Sequence, residues 1–347
     1  MGEIAMRTTL KQLAEYTGLS VTTVSLVLNG KPCRVSDESR ALILEAAEKL
    51  KYRRNMVAVS LVKGKTNTIG LIISDIRNSF FSTLAKGVGD ECQKHGWNMM
   101  ICNTNDRHAM DMEDIQMMAG KGVNGIVWGM ASETTAGMAH EAISLLEREN
   151  IPYLLIDRYV KTEPGRTIRV DHRLGGYLAT RHLIELGHRR IACVTGPSNL
   201  IDSEARMEGY LQALEEADIP CDGALVYEGN YQYAGGVEAV RVLQARGAAY
   251  TALFAFNDMM AFGCMKQLRS MGMAIPGDVS VVGYDNVFFS DLLDVPLTTV
   301  NQPVYEMGLE AARQLILEPR DGGDAHRTTV FNPTLVPRET SGPVSIQ

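Results

Sequence analysis

Nine positions carry side chains able to grip a polar ligand, and each lies beyond an apolar run that reads as a β-strand. Asn78, Phe80 and Phe81, with Asp75, come after TIGLIIS (68–74). Asp157 closes PYLLID (152–157) and Arg158 follows it, while Arg206 sits in the helical stretch after IACVT (191–195) and Gly196-Pro197. Tyr231 follows ALVYEG (224–229), Asn257 with Asp258 follows ALFAF (252–256), and Asp285 follows VSVVGY (279–284). Aromatic rings stack on the C–H faces of a ligand, and planar bidentate donors and carboxylates pair with vicinal hydroxyls. The set suits a polyhydroxylated ligand, and Arg158 leaves room for a phosphorylated or acidic one. Taken singly, Asp or Asn after a strand is more often a helix cap, and Phe80 and Phe81 could simply be core. Recurrence at strand after strand is what points to a site.

A second group of short polar side chains lies near the N-terminus. Thr9 reads as the N-cap of a helix over Leu10–Tyr16, with Leu10, Leu13 and Ala14 on one face and Gly18 at its end. Ser20 caps a second helix, Val21–Leu28, whose apolar positions are Val21, Val24, Val27 and Leu28. Thr22, Thr23, Ser25 and nearby Asn29 occupy its other face, as hydrogen-bonding groups sized for base edges and phosphates. Ser36 caps a third helix with Asp37 and Glu38 in its first turn and an apolar stripe of Leu42, Ile43, Ala46, Ala47 and Leu50. Two short helices joined by a Gly-containing turn form a helix-turn-helix, whose second member can enter the major groove.

Charge separates this head from the rest. Residues 1–66 hold eleven Lys and Arg against six Asp and Glu, a net of +5, and the remaining residues hold 23 against 35, a net of −12. A basic head on an acidic body is what a polyanion-binding module fused to a larger unit shows.

Beyond Thr68, strand runs alternate with helical patterns, the mark of parallel α/β architecture. The first set has strands at 68–74, 98–104, 124–130 and 152–157 with helices at about 82–95, 110–120 and 138–149. The second begins after Val170-Asp171 and alternates helices and strands through 279–284. Two such arrays predict two doubly wound lobes with a cleft between them, where ligands bind beyond the carboxyl ends of strands.

Other chemistry is not supported. There is no H-E-x-x-H and no G-x-S-x-G, the seven histidines are dispersed, and Ser60-x-x-Lys63 is a chance match, so no enzyme is expected. The six cysteines (33, 92, 102, 193, 221, 264) contain no C-x-x-C pair, so neither a metal nor a cofactor is expected. Gly64-Lys65-Thr66 lacks the first glycine of a phosphate loop, Val59 standing there. Gly120, Gly122 and Gly125 precede a strand, where a dinucleotide fingerprint would follow one. The N-terminal MGEIAMRTTLKQLAEYTG has no apolar secretory region, and no apolar run is long enough for a membrane span, which predicts a cytoplasmic protein.

The stretch TLKQLAEYTGLSVTTVSLVLNG closely resembles the headpiece of the LacI family of bacterial transcription repressors. The resemblance continues through TIGLIISDIRNSFF, IDR at 156–158, ELGHRRIACVTGP, ARMEGY, FAFNDMMAFG, VSVVGYDN and LTTVNQP, nearly the whole chain. It implies a small all-α head at 1–54, a hinge helix and linker at 55–67, and a core at 68–347 similar to periplasmic sugar-binding proteins. The first lobe would span about 68–170 plus 299–331 and the second about 171–298 plus 332–347, the strand at Thr298–Asn301 and helix 303–317 crossing back to the first. Thr9, Ser20, Val21, Thr22, Thr23, Ser25 and Asn29 would face DNA. In the hinge, Asn55 and Ala58 would join them, and Leu61 would wedge into the minor groove. Arg54 stands where the family commonly has proline, Val59 and Leu26 where it often has arginine, and His172 where asparagine usually follows the aspartate. By the same resemblance Arg206, Asn257 and Asp285 bind an inducer or corepressor, with Asp157, Tyr231, Asn78 and Phe80 completing the pocket. The expectation is a homodimeric repressor on double-stranded operator DNA, controlled by a small effector, expected to be a carbohydrate. The tail ETSGPVSIQ is too short for a leucine heptad. The alternative is a ligand-binding protein of the periplasmic type with no DNA function, which the basic head opposes.

Overall fold

The computed structural model describes residues 8–52, 66–160, 165–317 and 327–344. The expected hinge residues Asn55, Ala58 and Leu61 lie outside the described residues. The chain divides into two compact units, Met1–Thr66 and Asn67–Gln347.

In the first unit, α1 (Leu10–Thr17) starts on a reciprocal capping box. The Thr9 hydroxyl accepts from Gln12 N–H, and the Gln12 side chain accepts from Thr9 N–H at 2.8 Å. Gly18 stops the helix in the left-handed region at φ 69°, where a side chain would be strained. α2 (Val21–Leu28) and α3 (Asp37–Lys49) start on Ser20 and Ser36, whose hydroxyls accept from the backbone three residues on. Leu13, Ala14, Val24, Val27, Ile43 and Ala46 close a small core. Leu42, expected in the α3 stripe, is 43% exposed. One residue turns a helix by about 100°, so Leu42 stands at the flank of the face that Ile43, Ala46 and Leu50 share.

The second unit is built from two six-stranded sheets. The first carries β1 (Thr68–Ile73), β2 (Asn98–Asn103), β3 (Gly125–Trp128), β4 (Tyr153–Ile156) and β5 (Thr167–Val170). Between them run α4 (Ser79–Lys94), α5 (His108–Gly120) and α6 (Ala136–Arg148). The chain then passes to the second sheet through α7 (His172–Glu185), β6 (Ile191–Thr195), α8 (Ile201–Glu216) and β7 (Val226–Glu228). It continues with α9 (Tyr233–Ala245), β8 (Ala252–Ala255), α10 (Asp258–Ser270), β9 (Ser280–Asp285) and β10 (Thr298–Asn301). α11 (Val304–Leu317) and β11 (Thr328–Phe331) return to the first lobe, and β12 (Thr334–Val336) ends in the second.

Strand orders are β11-β5-β4-β3-β1-β2 and β12-β10-β9-β8-β6-β7. Helices cover both faces, so β1 and β6 are almost uniformly buried, as continuous apolar runs in parallel sheets require. On one face of the first sheet, α4 and α11 pack Phe80, Phe81, Leu84, Val88, Val304, Met307 and Ala311. On the other, α5 and α6 supply Ile115, Met118, Ala139, Ile143 and Leu146.

Three features differ from the sequence reading. The strand at Thr298–Asn301 stays in the second sheet, parallel to β9 with Asn301 opposite Asp285, so the second lobe extends past 298 and the crossing falls at Gln302-Pro303. Thr299 is tied there by its hydroxyl, which donates to the buried Asp258 at 2.6 Å, and Pro303 has no N–H with which to prolong a ladder. The short β5 and β11 pair with each other at the first sheet's edge, a contact between segments far apart in sequence. β12 runs antiparallel to β10, an edge strand of opposite sense on an otherwise parallel sheet.

Candidate functional site

In both sheets the strand order reverses beside the first strand of the lobe, between β1 and β3 and between β6 and β8. The crevice at such a point, beyond the carboxyl ends of the strands, is where open α/β sheets bind ligands. The two crevices face each other across one cleft, lined by all nine expected residues: Asn78, Phe80, Phe81, Asp157, Arg158, Arg206, Tyr231, Asn257 and Asp285. Asp202 and Gln302 complete the lining, and the cleft, open to solvent, spans about 380 Å³.

The cap reading and the site reading of several residues both hold. Asn78 accepts from Phe80 N–H at 3.0 Å as the cap of α4. Asn257 caps α10 through Oδ1, while its Nδ2 donates to Tyr231 O at 2.9 Å and fixes the loop that carries the tyrosine. Phe80 and Phe81 are buried in the first core with their rings edge to face at 5.1 Å, and the rim of that core is a wall of the cleft.

Backbone conformation also marks the site. Asp157, Tyr231 and Asp285 have φ of 65°, 61° and 115°, in the region that costs non-glycine residues about 1–3 kcal/mol each. Such strain persists where surrounding structure imposes it, and here it turns three side chains into one space.

Arg206 organises the second lobe's wall. A Cβ on Gly176 would stand 2.1 Å from Arg206 O, and one on Gly209 would stand 2.0 Å from Arg173 O. Without those side chains α7 and α8 close tightly and bury Arg206 at 4% exposure. Its Nη1 donates to Phe256 O, its Nε to His172 Nδ1 at 3.4 Å, and its Nη2 lies 3.6 Å from Asp202 Oδ2. The guanidinium carbon sits 4.0 Å from the Tyr284 ring centroid and 5.6 Å from that of Tyr231, whose hydroxyl donates to Asp202 at 2.6 Å. Burial alone would raise the Asp202 carboxyl, but the Arg206 charge, together with lesser contributions that include Arg158 and the Tyr231 hydroxyl, outweighs it and holds the group below its usual value.

Arg158 is engaged elsewhere. Its Nη1 donates to Asp106 at 2.6 Å, to Ser74 at 3.2 Å and to Met130 O at 3.3 Å. It lines the cleft as one half of an ion pair, which weakens the expectation that it would receive an acidic ligand. Among the described residues, neither Asp157 nor Asp285 has an arginine or lysine ion-pair partner within 4 Å. Burial pushes Asp157 up to about 6, with the Asp202 charge adding to the effect, and burial raises Asp285 well above the carboxylate range. Gln302 Nε2 donates to Asp285 at 2.7 Å.

A carboxyl raised on folding contributes stability that is complete below its unfolded value of 3.8 and is lost as pH rises through about 6. Asp157→Asn, which keeps the left-handed backbone accessible, is therefore expected to raise the unliganded protein's stability at pH 7.5 by about 1–3 kcal/mol. The gain should vanish near pH 4. Calorimetric melting at the two pH values checks this, and an equal shift at both would show that charge is not the cause.

Asp202 and Gln302 were missed in the sequence. Asp202 carries a legible signal, the i, i+4 spacing to Arg206. Gln302 becomes visible only once the preceding strand is placed in the second sheet.

In the head, Val21 and Thr22 are exposed at the start of α2, and Thr23 Oγ1 lies 2.8 Å from Ser20 Oγ. Thr9 is exposed at the start of α1. Ser25 is half-buried, and Asn29 Nδ2 folds back to donate to Ser25 O at 2.6 Å.

No helix among the described residues is long and apolar enough to cross a membrane. Residues 9–55 match the family described as bacterial regulatory proteins, lacI family, and residues 180–341 match a periplasmic binding protein-like domain. The chain is 34% identical over 343 residues to the HTH-type transcriptional regulator DegA of Bacillus subtilis, covering 98% of this chain and 100% of that one. The lac repressor dimer bound to operator and the anti-inducer ONPF aligns with a TM-score of 0.87 at 26% identity, over 97% of this chain and 100% of that one. The transcriptional regulator CelR–cellobiose complex aligns with a TM-score of 0.72 at 30% identity, over 96% and 100%. These relatives are regulators and not enzymes. Matched end to end in this way, the chain belongs to the LacI family of DNA-binding bacterial transcriptional regulators.

Proposed function

We propose that this regulator is a homodimeric repressor whose affinity for an operator is set by a carbohydrate held between the two lobes of its core. The observation that carries the reading is the convergence of nine residues, from six separate segments and both lobes, on one cleft. Tyr231 and Phe80 offer stacking faces, and Asp157 and Asp285 offer carboxyl oxygens to ligand hydroxyls. The CelR relative was solved with cellobiose, which is consistent with a sugar. Phe288, Phe289 and Leu292 form an apolar patch at 72%, 56% and 61% exposure on the second lobe, of the kind a second copy would cover.

The working cycle is an equilibrium between two lobe orientations. A ligand with unequal affinity for them shifts the population, and the effect on operator affinity must be reciprocal. A gel shift on promoter DNA beside the chain's own gene, with and without a panel of mono- and disaccharides, tests the reading. A specific shift altered by one sugar supports it. A shift altered by a nucleobase while every sugar is silent would overturn the carbohydrate assignment, and the absence of any specific shift would overturn repression.

Leu61 is proposed as the minor-groove wedge of the hinge. Unstacking one base step costs a few kcal/mol, offset by the contacts that the bend permits. Leu61→Ala is expected to weaken specific binding by about 1–3 kcal/mol, the scale of one lost specific contact. Non-specific binding, which rests on Lys and Arg charge, should keep its salt slope. Equal losses in both kinds of binding, or unchanged curvature in a circular-permutation assay, would make the hinge a linker only.

A further inference from the structure

His172 is the first residue of α7, directly after the chain leaves the first lobe, and it lies buried at 6% exposure. A core histidine is ordinarily satisfied on both ring nitrogens. This one is satisfied on one. Its Nδ1 accepts from the Tyr284 hydroxyl at 3.0 Å and from Arg206 Nε–H at 3.4 Å. An arginine nitrogen can only donate, so Nδ1 carries the lone pair and the ring proton sits on Nε2. Burial, with the Arg206 charge beside it, pushes the imidazole down to about 3, so the ring is neutral.

The Nε2–H has no hydrogen-bond partner among the described residues. It faces Asp157 Oδ1, which is 3.9 Å away and belongs to the opposite lobe. An N–H···O bond needs about 2.7–3.2 Å, so the pair stands roughly an ångström apart from bonding. The other charged or titratable groups around Asp157 are Asp202, Arg206, Arg158 and Asp285. Arg206 is paired with Asp202 and Arg158 with Asp106, which leaves His172 as the donor that lobe closure would bring to the carboxyl.

We propose that His172 is a positioning residue that joins the two walls of the cleft: its Nδ1 holds Arg206 and Tyr284 in the second lobe, and its Nε2–H closes onto Asp157 of the first. The bond exists only in the closed arrangement, so it favours closure by its own free energy. A ligand that engages Arg206 bears directly on the ring that makes it. The device depends on the cleft and not on the identity of the effector, so its test needs no ligand, and failure of the carbohydrate reading would leave the measurement untouched.

The test is pulsed dipolar spectroscopy on the full chain. Nitroxides are attached through a non-natural amino acid at the exposed Glu141 of α6 and Glu238 of α9. Labelled chains are diluted with unlabelled protein, so that only distances within a chain are read. His172→Leu is expected to deplete the short-distance, closed part of the distribution and so move its mean outward. His172→Gln, which retains an acceptor and a donor, should restore the original distribution. Asp157→Gly removes the carboxyl at a backbone φ that glycine adopts freely, and it should open the lobes as His172→Leu does, with no further change in the double variant. Should His172→Leu fail to fold, Asp157→Gly and His172→Gln decide the matter alone. An unchanged distribution in Asp157→Gly, a His172→Gln variant as open as His172→Leu or lacking the native distribution, or effects that add in the double variant would overturn the proposal.

Discussion

Arg206→Ala is expected to abolish the effector's influence on operator binding while operator affinity in its absence stays within a few fold. The guanidinium is buried at 4% exposure, and every one of its nitrogens already has a protein partner or counter-charge. Removing it strips Asp202 of the charge that holds its carboxyl down, leaves Phe256 O without its donor, and takes the cation from the Tyr231 and Tyr284 faces. Arg206 is also proposed as a partner of the effector, and truncating one partner of a buried hydrogen-bonded charge pair across a binding interface costs about 2–5 kcal/mol of binding, largely because the other is left unpaired. At 1.4 kcal/mol per tenfold, that is a loss of roughly 30-fold to several thousand-fold in ligand affinity. Asp285→Ala should act in the same direction by removing the carboxyl to which Gln302 donates. Neither residue belongs to the Met1–Thr66 unit, so the DNA-reading surface is untouched. Titration calorimetry with the sugar found in the gel-shift screen reads the first effect, and the gel shift without it reads the second. Undiminished ligand affinity in both variants would mean that the cleft is not the effector site.

What the sequence made legible follows from range. Helix caps are local: Thr9, Ser20, Ser36, Asn78 and Asn257 sit next to the backbone N–H groups they satisfy, and every helix expected within the described residues lies within a few residues of its place. Fully buried parallel strands announce themselves as apolar runs, as β1 and β6 do. TIRV at β5 and TTVF at β11 do not, because each is four residues long, β5 is paired between β4 and β11, and β11 is held as a strand by β5 from across the chain. The lobe to which β10 belongs is equally non-local, decided by Asp258 reaching Thr299 from another element. The nine cleft residues were legible because strand ends in doubly wound sheets converge on one side. What each side chain does there was not legible. Arg158 reads as a free cation in sequence and is an ion-pair partner of Asp106 in space, while His172 reads as a departure from a family pattern and proves to be the buried acceptor that orients Arg206.

A chain beginning at Asn67 is expected to bind the effector and to dimerise, yet to lose specific operator binding altogether. Its cores are complete without the head: the three clusters of the two lobes begin at Ile69 and include no residue before it. The apolar patch at Phe288, Phe289 and Leu292 stays with it, so the surface proposed for self-association is retained. What leaves is the surface proposed to meet DNA. With residues 1–66 go Ser20, Val21 and Thr22 at the start of α2, the proposed wedge Leu61, and all eleven basic residues of the head, a net of +5. The remainder carries a net of −12. A polyanion is repelled by that charge, and counterion release, which drives most non-specific affinity, needs Lys and Arg against phosphates. Specific binding of this class is about 10³–10⁷ tighter than non-specific binding, so the fragment should fall below detection on the operator at moderate salt. Its ligand affinity should remain within a few fold of the full chain, since no cleft residue lies before Asn78. Sedimentation equilibrium, calorimetry and a gel shift on the same preparation give all three readings. Sequence-specific binding retained by this fragment would remove the head from the recognition surface and place the DNA contact in the lobes.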